Sequence, residues 1–383
     1  MPNITQSEYN VVKQNKRILH TKIKILNFNL QTVGELIGNV IDEPSYNVDA
    51  DSDIRRTCNI SLIPTDSSFD IKYGSKLWID KYVQIFIGIE DLKNNNEIVY
   101  TNLGIYLVNN PSQVYDSTTN TISISGVDMM AKLTGARSGN LEGIEYQVKA
   151  GRTIKGTLNA ILKEQGITKR NIAPIKPANI LQRDISISVG GTTYDLITQL
   201  KNETDNFQAY FDLNGTFCFN QIPSGKNEQI MVDDDLWKNV LIDYQVDISY
   251  EDIKNYIEVY GRTLSDGTIP HAKMIDYNPK SPFYVYGSAG IIRQVITDDN
   301  ILTNHLAKQR AKYELYKQCK FYDQVQIKCV PIYWLDVNWV VELTLPNKQG
   351  IEKTELYMIK KIDTSLGGTQ QITLVKYYPT YPF

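Results

Sequence analysis

Cysteine, histidine and long apolar runs are scarce in this 383-residue chain, and each scarcity closes off a class of function. The four cysteines, Cys58, Cys218, Cys319 and Cys329, stand singly. With no Cys-x-x-Cys pair, neither a zinc knuckle nor a redox motif is supported. Cys58, Cys218 and Cys329 fall in strand-like runs, where a reduced thiol packs as a small hydrophobe. The three histidines, His20, His271 and His305, lie far apart, and none has a neighbour at metal-ligand spacing. His305 is expected on a helix near Asp298 and Asp299, in a surface or capping role. No apolar run reaches the roughly 18 residues a spanning helix needs, so membrane insertion is not expected. The opening MPNITQSEYNVVKQNKR lacks the apolar segment of a secretory signal. Net charge is only −3, which gives no reason to expect nucleic acid or an anionic membrane as the main partner.

Catalytic motifs are missing as well. Gly225-Lys226 is followed by Asn227, and Asn220 stands where a phosphate-binding loop needs its first Gly. Gly287-Ser288-Ala289-Gly290 lacks the spacing of a nucleophile elbow. Asp49, Asp51 and Asp53 open like a calcium loop, but Ile54 and Ile60 occupy the Gly and Glu positions, so a solvated turn is expected. Asp233-Asp234-Asp235 is read as a turn that begins a short helix. A glycosidase would need two carboxylates across a cleft, and no local motif supplies them. No catalytic, cofactor-binding or metal-binding residue is therefore assigned, no cofactor is expected, and the chain is read as non-enzymatic.

What the sequence has in quantity is β-structure and tyrosine. Hydrophobic residues make up 42%, enough for sizeable cores, and the length suggests two to three domains. The 25 tyrosines suit half-buried sheet faces or faces pressed against another protein. The stretch Asp80 to Leu133 holds three extended segments. Val83, Ile85, Ile87 and Ile89 alternate with Tyr82, Gln84, Phe86 and Gly88, and Ile122 and Ile124 alternate with Thr121, Ser123 and Ser125. Lys93-Asn94-Asn95-Asn96 supplies a hairpin and Asn109-Asn110-Pro111 a break, giving an antiparallel meander.

Residues 1 to 19 are polar and read as an arm. Strands are expected at Lys22 to Leu30 and Arg56 to Ile63, with a loop between them. Thr153 opens a helix burying Ile154, Leu158, Ile161 and Leu162, which Gly166 ends. Thr192 and Asp195 form a capping box for a second helix burying Leu196, Ile197 and Leu200. FQAYFDLNGTFCFNQIP is a hairpin turning at Asp212-Leu213-Asn214-Gly215. From Ile242 the chain returns to β. A strand at Asn255 to Tyr260 precedes a long irregular loop, 263 to 288, and a helix at about 300 to 316 with Leu302, Leu306 and Tyr313 on one side. Strands then follow at Gln324 to Val330, Trp339 to Leu345, Leu356 to Ile362 and Gln370 to Tyr377. Trp334 and Trp339 are read as capping the core of the last β-block rather than as an interface anchor.

Several segments resemble the baseplate hub proteins of long-tailed bacteriophages, tailocins and contractile injection systems. The segments are Leu103-Gly104-Ile105-Tyr106, Gly126-Val127-Asp128 before a short helix, the Asp-rich turn with Arg55-Arg56, GTTYDLITQLKNETDNFQAYFDLNGTFCFNQIPSG, and Leu335-Asp336-Val337-Asn338. The resemblance covers about residues 20 to 380. It implies a mainly β chain with an α+β insertion, in which two tail-tube-like β-barrel or β-sandwich domains flank a mixed α+β domain. The implied division is an arm at 1–19, a first tube-like domain at 20–135, a middle domain at 136–238 and a second tube-like domain at 239–383.

The function implied is a structural hub of a phage tail or tail-like particle. A homotrimeric ring would present six β-domains to a sixfold tube and surround the ejection channel, lined by polar strand faces. The implied partners are further copies of the chain, the tail tube or distal tail protein, and a spike, fibre or tail-tip protein. The tape-measure protein and DNA would only pass through the channel. The implied location is the virion baseplate, assembled in the bacterial host cytoplasm. The alternatives are a carbohydrate-binding adhesin of the tail tip and, behind it, a tail-associated peptidoglycan hydrolase.

Overall fold

Period-two alternation of branched apolar and polar residues, punctuated by Asn and Gly, lays the chain out as strands. The computed structural model describes residues 4–38, 40–115, 118–175, 179–181, 183–204, 206–223, 228–249, 253–299, 301–319, 322–346 and 352–377. Its N-terminal block contains β1 (Leu19–Leu26), β2 (Thr32–Ile37), β3 (Val40–Asp49), β4 (Arg56–Leu62), β5 (Tyr82–Asp91), β6 (Glu97–Tyr115) and β7 (Asn120–Asp128). The expected meander is present, since β5 pairs β6 and β6 pairs β7, all antiparallel. Val83, Ile85, Ile87 and Ile89 point into the core as the alternation requires.

Three expectations in this block need correction. The arm contains a helix, α1 (Gln6–Val12), capped by a Thr5–Glu8 box and burying Val11 and Val12. The loop before Arg56 contains β3, whose Pro44 falls where the register shifts between Ile41 and Ser45, so the ladder absorbs a residue that would otherwise break it. The break at Asn109-Asn110-Pro111 is a bulge within β6: Asn110 takes φ 43, the register shifts between Asn109 and Ser112, and the strand runs on to Tyr115.

The middle segment holds β8 (Glu145–Val148), α2 (Ile154–Glu164), β9 (Arg170–Ile172), β10 (Ile185–Ser188), α3 (Thr193–Asn202), β11 (Phe207–Phe211) and β12 (Phe217–Gln221). Thr153 caps α2 and the Thr192–Asp195 box caps α3, as the sequence predicts. The apolar faces of α2 and α3, with Phe207, Phe211, Phe217 and Phe219, share a core with Leu26, Ile105, Leu107, Met129 and Met130 of the first block.

The rest comprises β13 (Ile230–Val232), α4 (Asp234–Val240), β14 (Leu241–Ser249), β15 (Tyr256–Tyr260), β16 (His271–Ile275), β17 (Arg293–Thr297), α5 (Asn304–Gln318), β18 (Tyr322–Cys329), β19 (Val340–Pro346), β20 (Glu352–Ser365) and β21 (Gln370–Lys376). The supposed loop at 263 to 288 contains β16, which pairs antiparallel with β15 while β17 pairs parallel on its other side. These strands and α5 enclose their own core of Ile257, Val259, Phe283, Ala307, Ala311 and Leu315. α5 starts at Asn304, after Leu302, and buries Ala307, Ala311 and Leu315, leaving Tyr313 38% exposed. Small alanines let that helix lie close to the sheet.

The N- and C-terminal β-blocks are continuous. β20 pairs antiparallel with β3, Ile362 opposite Val48 and Thr364 opposite Tyr46. One hydrophobic core contains Val11, Ile23 and Ile85 from the first block together with Trp334, Ile359 and Leu374 from the last.

Candidate functional site

Two features stand out, a buried polar junction and a polar sheet face that ends in unpaired edges. The junction gathers side chains from three parts of the chain. Arg55 and Arg56 are 5% and 2% exposed at the start of β4, so each charge must be met inside the protein. Arg56 donates to Asp336 and, at 2.6 Å, to the Phe211 carbonyl. Its backbone N–H donates to Asp128 Oδ2 at 3.0 Å, while Asp128 Oδ1 accepts from Met130 N at 2.8 Å and so caps the short helical turn 129–132. Arg55 lies over the Tyr210 ring at 4.0 Å and donates to Gln208 Oε1 at 2.7 Å. Asn338 donates to the same oxygen at 2.8 Å. Burial works against the Arg56 cation, but Asp336 and Asp128 more than offset it and its pKa lies above the usual value. Arg55, with more desolvation than compensation, is pushed down.

The segments of the motif resemblance thus converge. Arg55-Arg56, Gly126-Val127-Asp128, the Phe207–Phe211 strand and Asp336-Val337-Asn338 meet at one point. Gly126 must be glycine, because a Cβ there would lie 2.5 Å from Cys58 Sγ and 2.9 Å from Tyr106 Cβ. Gly104 takes φ +121 beside the bulge at Ile85 and Phe86, and lets Tyr106 bury its ring and donate to the Leu103 carbonyl at 2.8 Å. The partners are bound by packing, so the arrangement positions four segments against one another.

The second feature follows from register. From β14 through β18, β21, β20, β3, β4 and β7 to β6, each neighbouring pair is antiparallel. Polar residues dominate one face, with Val114, Val127 and Val375 among them. Asp243 lies opposite Lys328, then Gln371, Asp363, Asn47 and Thr57 follow strand by strand. Ser45, Asn59, Ser125 and Asn109 continue that face, as do Ser61, Ser123 and Ser112. The opposite face carries Ile327, Ile372, Ile362, Val48 and Cys58, all buried. Among the described residues, β14 at one end pairs only β18, and at the other, beyond Leu107, β6 pairs only β7. Ile242 and Val246 on the first edge are 52% and 48% exposed, and Val114 and Tyr115 on the second are 61% and 80% exposed.

The residues weighed for chemistry stay apart. His20 contacts Glu90 at 2.7 Å, His271 stacks on Tyr260, and His305 is exposed in the first turn of α5. The four thiols are free and buried. Asp49 Oδ1 accepts from Asp51 N as in a solvated turn, and Asp233 caps α4 while Asp235 pairs with Lys13 of the N-terminal helix segment at 2.6 Å. Trp334 is buried and Trp339 half-buried, 6.4 Å apart between ring centres within the large core, so the pair packs as structure. Among the described residues no cluster of His, Cys, Asp and Glu is placed to hold a metal, and no helix is long and apolar enough to cross a membrane.

The same architecture occurs in solved tail proteins. Similar structures include the 43 kDa tail protein of prophage MuSo2 from Shewanella oneidensis, 14% identical, covering 94% of this chain and 98% of that one, TM-score 0.63. This is a phage tail-protein fold. Prophage tail protein gp18 from Listeria monocytogenes is 16% identical over 92% of this chain and 94% of its own, TM-score 0.56. A chain of the Francisella PdpA–VgrG complex is 10% identical, with 96% of this chain aligned to 60% of that one, TM-score 0.56. Residues 280–381 match a domain of unknown function, DUF5048. No curated protein sequence matches. The tail-protein fold accounts for the mainly β architecture with its mixed insertion; the converging motifs are the part of it that sequence could flag, while the exposed edges carried no signal beyond alternation.

Proposed function

We propose that this chain is the structural hub of a phage tail or tail-like baseplate, assembled as a homotrimer around the ejection channel. The observation that carries the reading is the run of eight antiparallel strands with a polar face and two open, apolar-studded edges. An unpaired edge is an association hazard unless another strand covers it. Because the run holds an even number of antiparallel strands, β14 and β6 point in opposite senses. Copies related by rotation therefore bring β14 of one against the last part of β6 of the next in antiparallel sense, so that both ends of the run are covered.

Three copies would present six β-blocks to a sixfold tube, which supports a place between the tube or distal tail protein and a spike, fibre or tail-tip protein. The polar face would line the channel through which tape-measure protein and DNA pass. It carries Asp49, Asp243, Asp247 and Asp363 against Lys328 and Lys361, a balance unsuited to gripping phosphate. The role is assembly and passage rather than catalysis, in a virion component made in the bacterial cytoplasm. Light scattering after size exclusion tests it: three copies of the 43.7 kDa chain give about 131 kDa. A monomer that persists at high concentration would remove the ring.

A further inference from the structure

We propose that the loop from Asp276 to Gly290 is a saccharide-binding platform on which Tyr277, Tyr284 and Tyr286 stack against the C–H faces of sugar rings. The loop lies on the small unit formed by β15–β17 and α5, away from the strand run that carries the hub reading, and the proposal stands independently of that reading. Its backbone is held from below. Asn255, fully buried, donates from Nδ2 to the Phe283 and Gly290 carbonyls at 3.0 and 2.6 Å and accepts from Ile292 N at 2.7 Å. Asp276, also fully buried, accepts from Asn278 N at 2.9 Å, and its carbonyl accepts from Val285 N at 3.1 Å. Phe283 and Val285 are buried beneath the loop, and the alternate residues Tyr284 and Tyr286 face outward.

Tyr277 and Tyr286 are 56% and 71% exposed, unusual for rings of that size in a loop so firmly anchored. Their centres lie 6.0 Å apart with planes inclined by 30°, a tilted pair. Tyr284 stands against Tyr286 at 5.6 Å and 82°, a wall beside the floor. Ser281 Oγ accepts from Phe283 N at 3.1 Å and Asn278 Oδ1 from Lys280 N at 3.0 Å within the loop, while Lys280 and Ser288 are exposed polar groups on it, as a ligand with one apolar face and a hydroxylated rim requires. Lys280 on the same loop argues against a cationic ligand. Tyrosines on a fixed backbone bind with little ordering cost, since only two side-chain torsions each need settle.

The test uses the full-length protein and saturation-transfer NMR with three hexasaccharides: β-1,4-linked N-acetylglucosamine, β-1,4-linked glucose and α-1,3-linked rhamnose. At least one is expected to bind with a dissociation constant of about 1 mM or tighter. The double variant Tyr277→Ala/Tyr286→Ala should weaken it about tenfold or more, and Tyr286→Phe should retain it, because the ring and not the hydroxyl does the stacking. Unchanged melting temperature and solution mass in the variants exclude a folding or assembly defect. Absence of binding by all three sugars at about 10 mM, or equal binding by the double alanine variant, overturns the proposal. The solution mass reports separately on the ring, so either idea fails alone.

Discussion

The cysteines show how position in the core decides chemistry. Burial pushes the Cys58 and Cys329 thiols up to about 12 and Cys218 up to about 11, and Cys319, beside Asp276, is raised as well. The thiolate is the reactive form, and a pKa of about 12 leaves on the order of one thiolate in ten thousand at pH 8. A thiol-disulfide reagent at pH 8 should therefore release no signal from the native protein within minutes and four equivalents after denaturation. Fast reaction of even one native thiol would contradict the packing described. Arg56 makes the converse case. Arg56→Ala removes the guanidinium from Asp336 Oδ2 and the Phe211 carbonyl, while Asp336 Oδ1 keeps Val337 N. The expected loss is about 3–5 kcal/mol, as for other buried pairs broken from one side, read by denaturant unfolding. A loss below about 1 kcal/mol would mean that water takes over the guanidinium's bonds.

At the scale of elements, the seam between the β-blocks depends on one amide. Gln370 is fully buried on β21 and donates to Thr364 Oγ1 on β20 at 2.9 Å, to Tyr46 on β3 at 3.4 Å and to the Ile332 carbonyl at 3.3 Å, while accepting from Ile332 N at 3.1 Å. Gln370→Leu keeps the volume but orphans these groups, so a loss of about 2–4 kcal/mol is expected in thermal or denaturant melts. A neutral result would show that the seam rests on its ladder alone. That seam was the least legible part of the sequence. Strands with clean alternation, such as Val83 to Ile89, and helices with side-chain caps, at Thr153 and Thr192, could be read directly because their signals are local. β3 could not, since Pro44 interrupts it and leaves Tyr46 and Val48 to mark its buried face. The polar junction was half legible. Its motifs could be seen one by one, but Arg56 finds its partners 155 and 280 residues away, and no local period reports contacts at that distance.

At the scale of the whole molecule, the strand edges decide how copies associate. A lone chain would leave β14 and the last part of β6 with unpaired N–H and C=O groups beside exposed Ile242, Val246, Val114 and Tyr115. Such edges in a stable monomer are normally blunted by charge, proline or bulges placed on them. Here Asp243 and Asp247 sit on the polar face of β14, and the apolar residues are left to meet a partner. Substituting Val114→Asp and Val246→Asp together places like charges on both edges. The variant should run as a 43.7 kDa monomer where the unaltered chain runs as a trimer. Its own unfolding should shift little, because surface substitutions usually change stability by less than about 0.5 kcal/mol. A trimer that survives both charges, with the same dissociation profile on dilution, would show that the chains associate through another surface. The strand run would then line no closed channel, and the hub proposal would have to rest on contacts elsewhere in the fold.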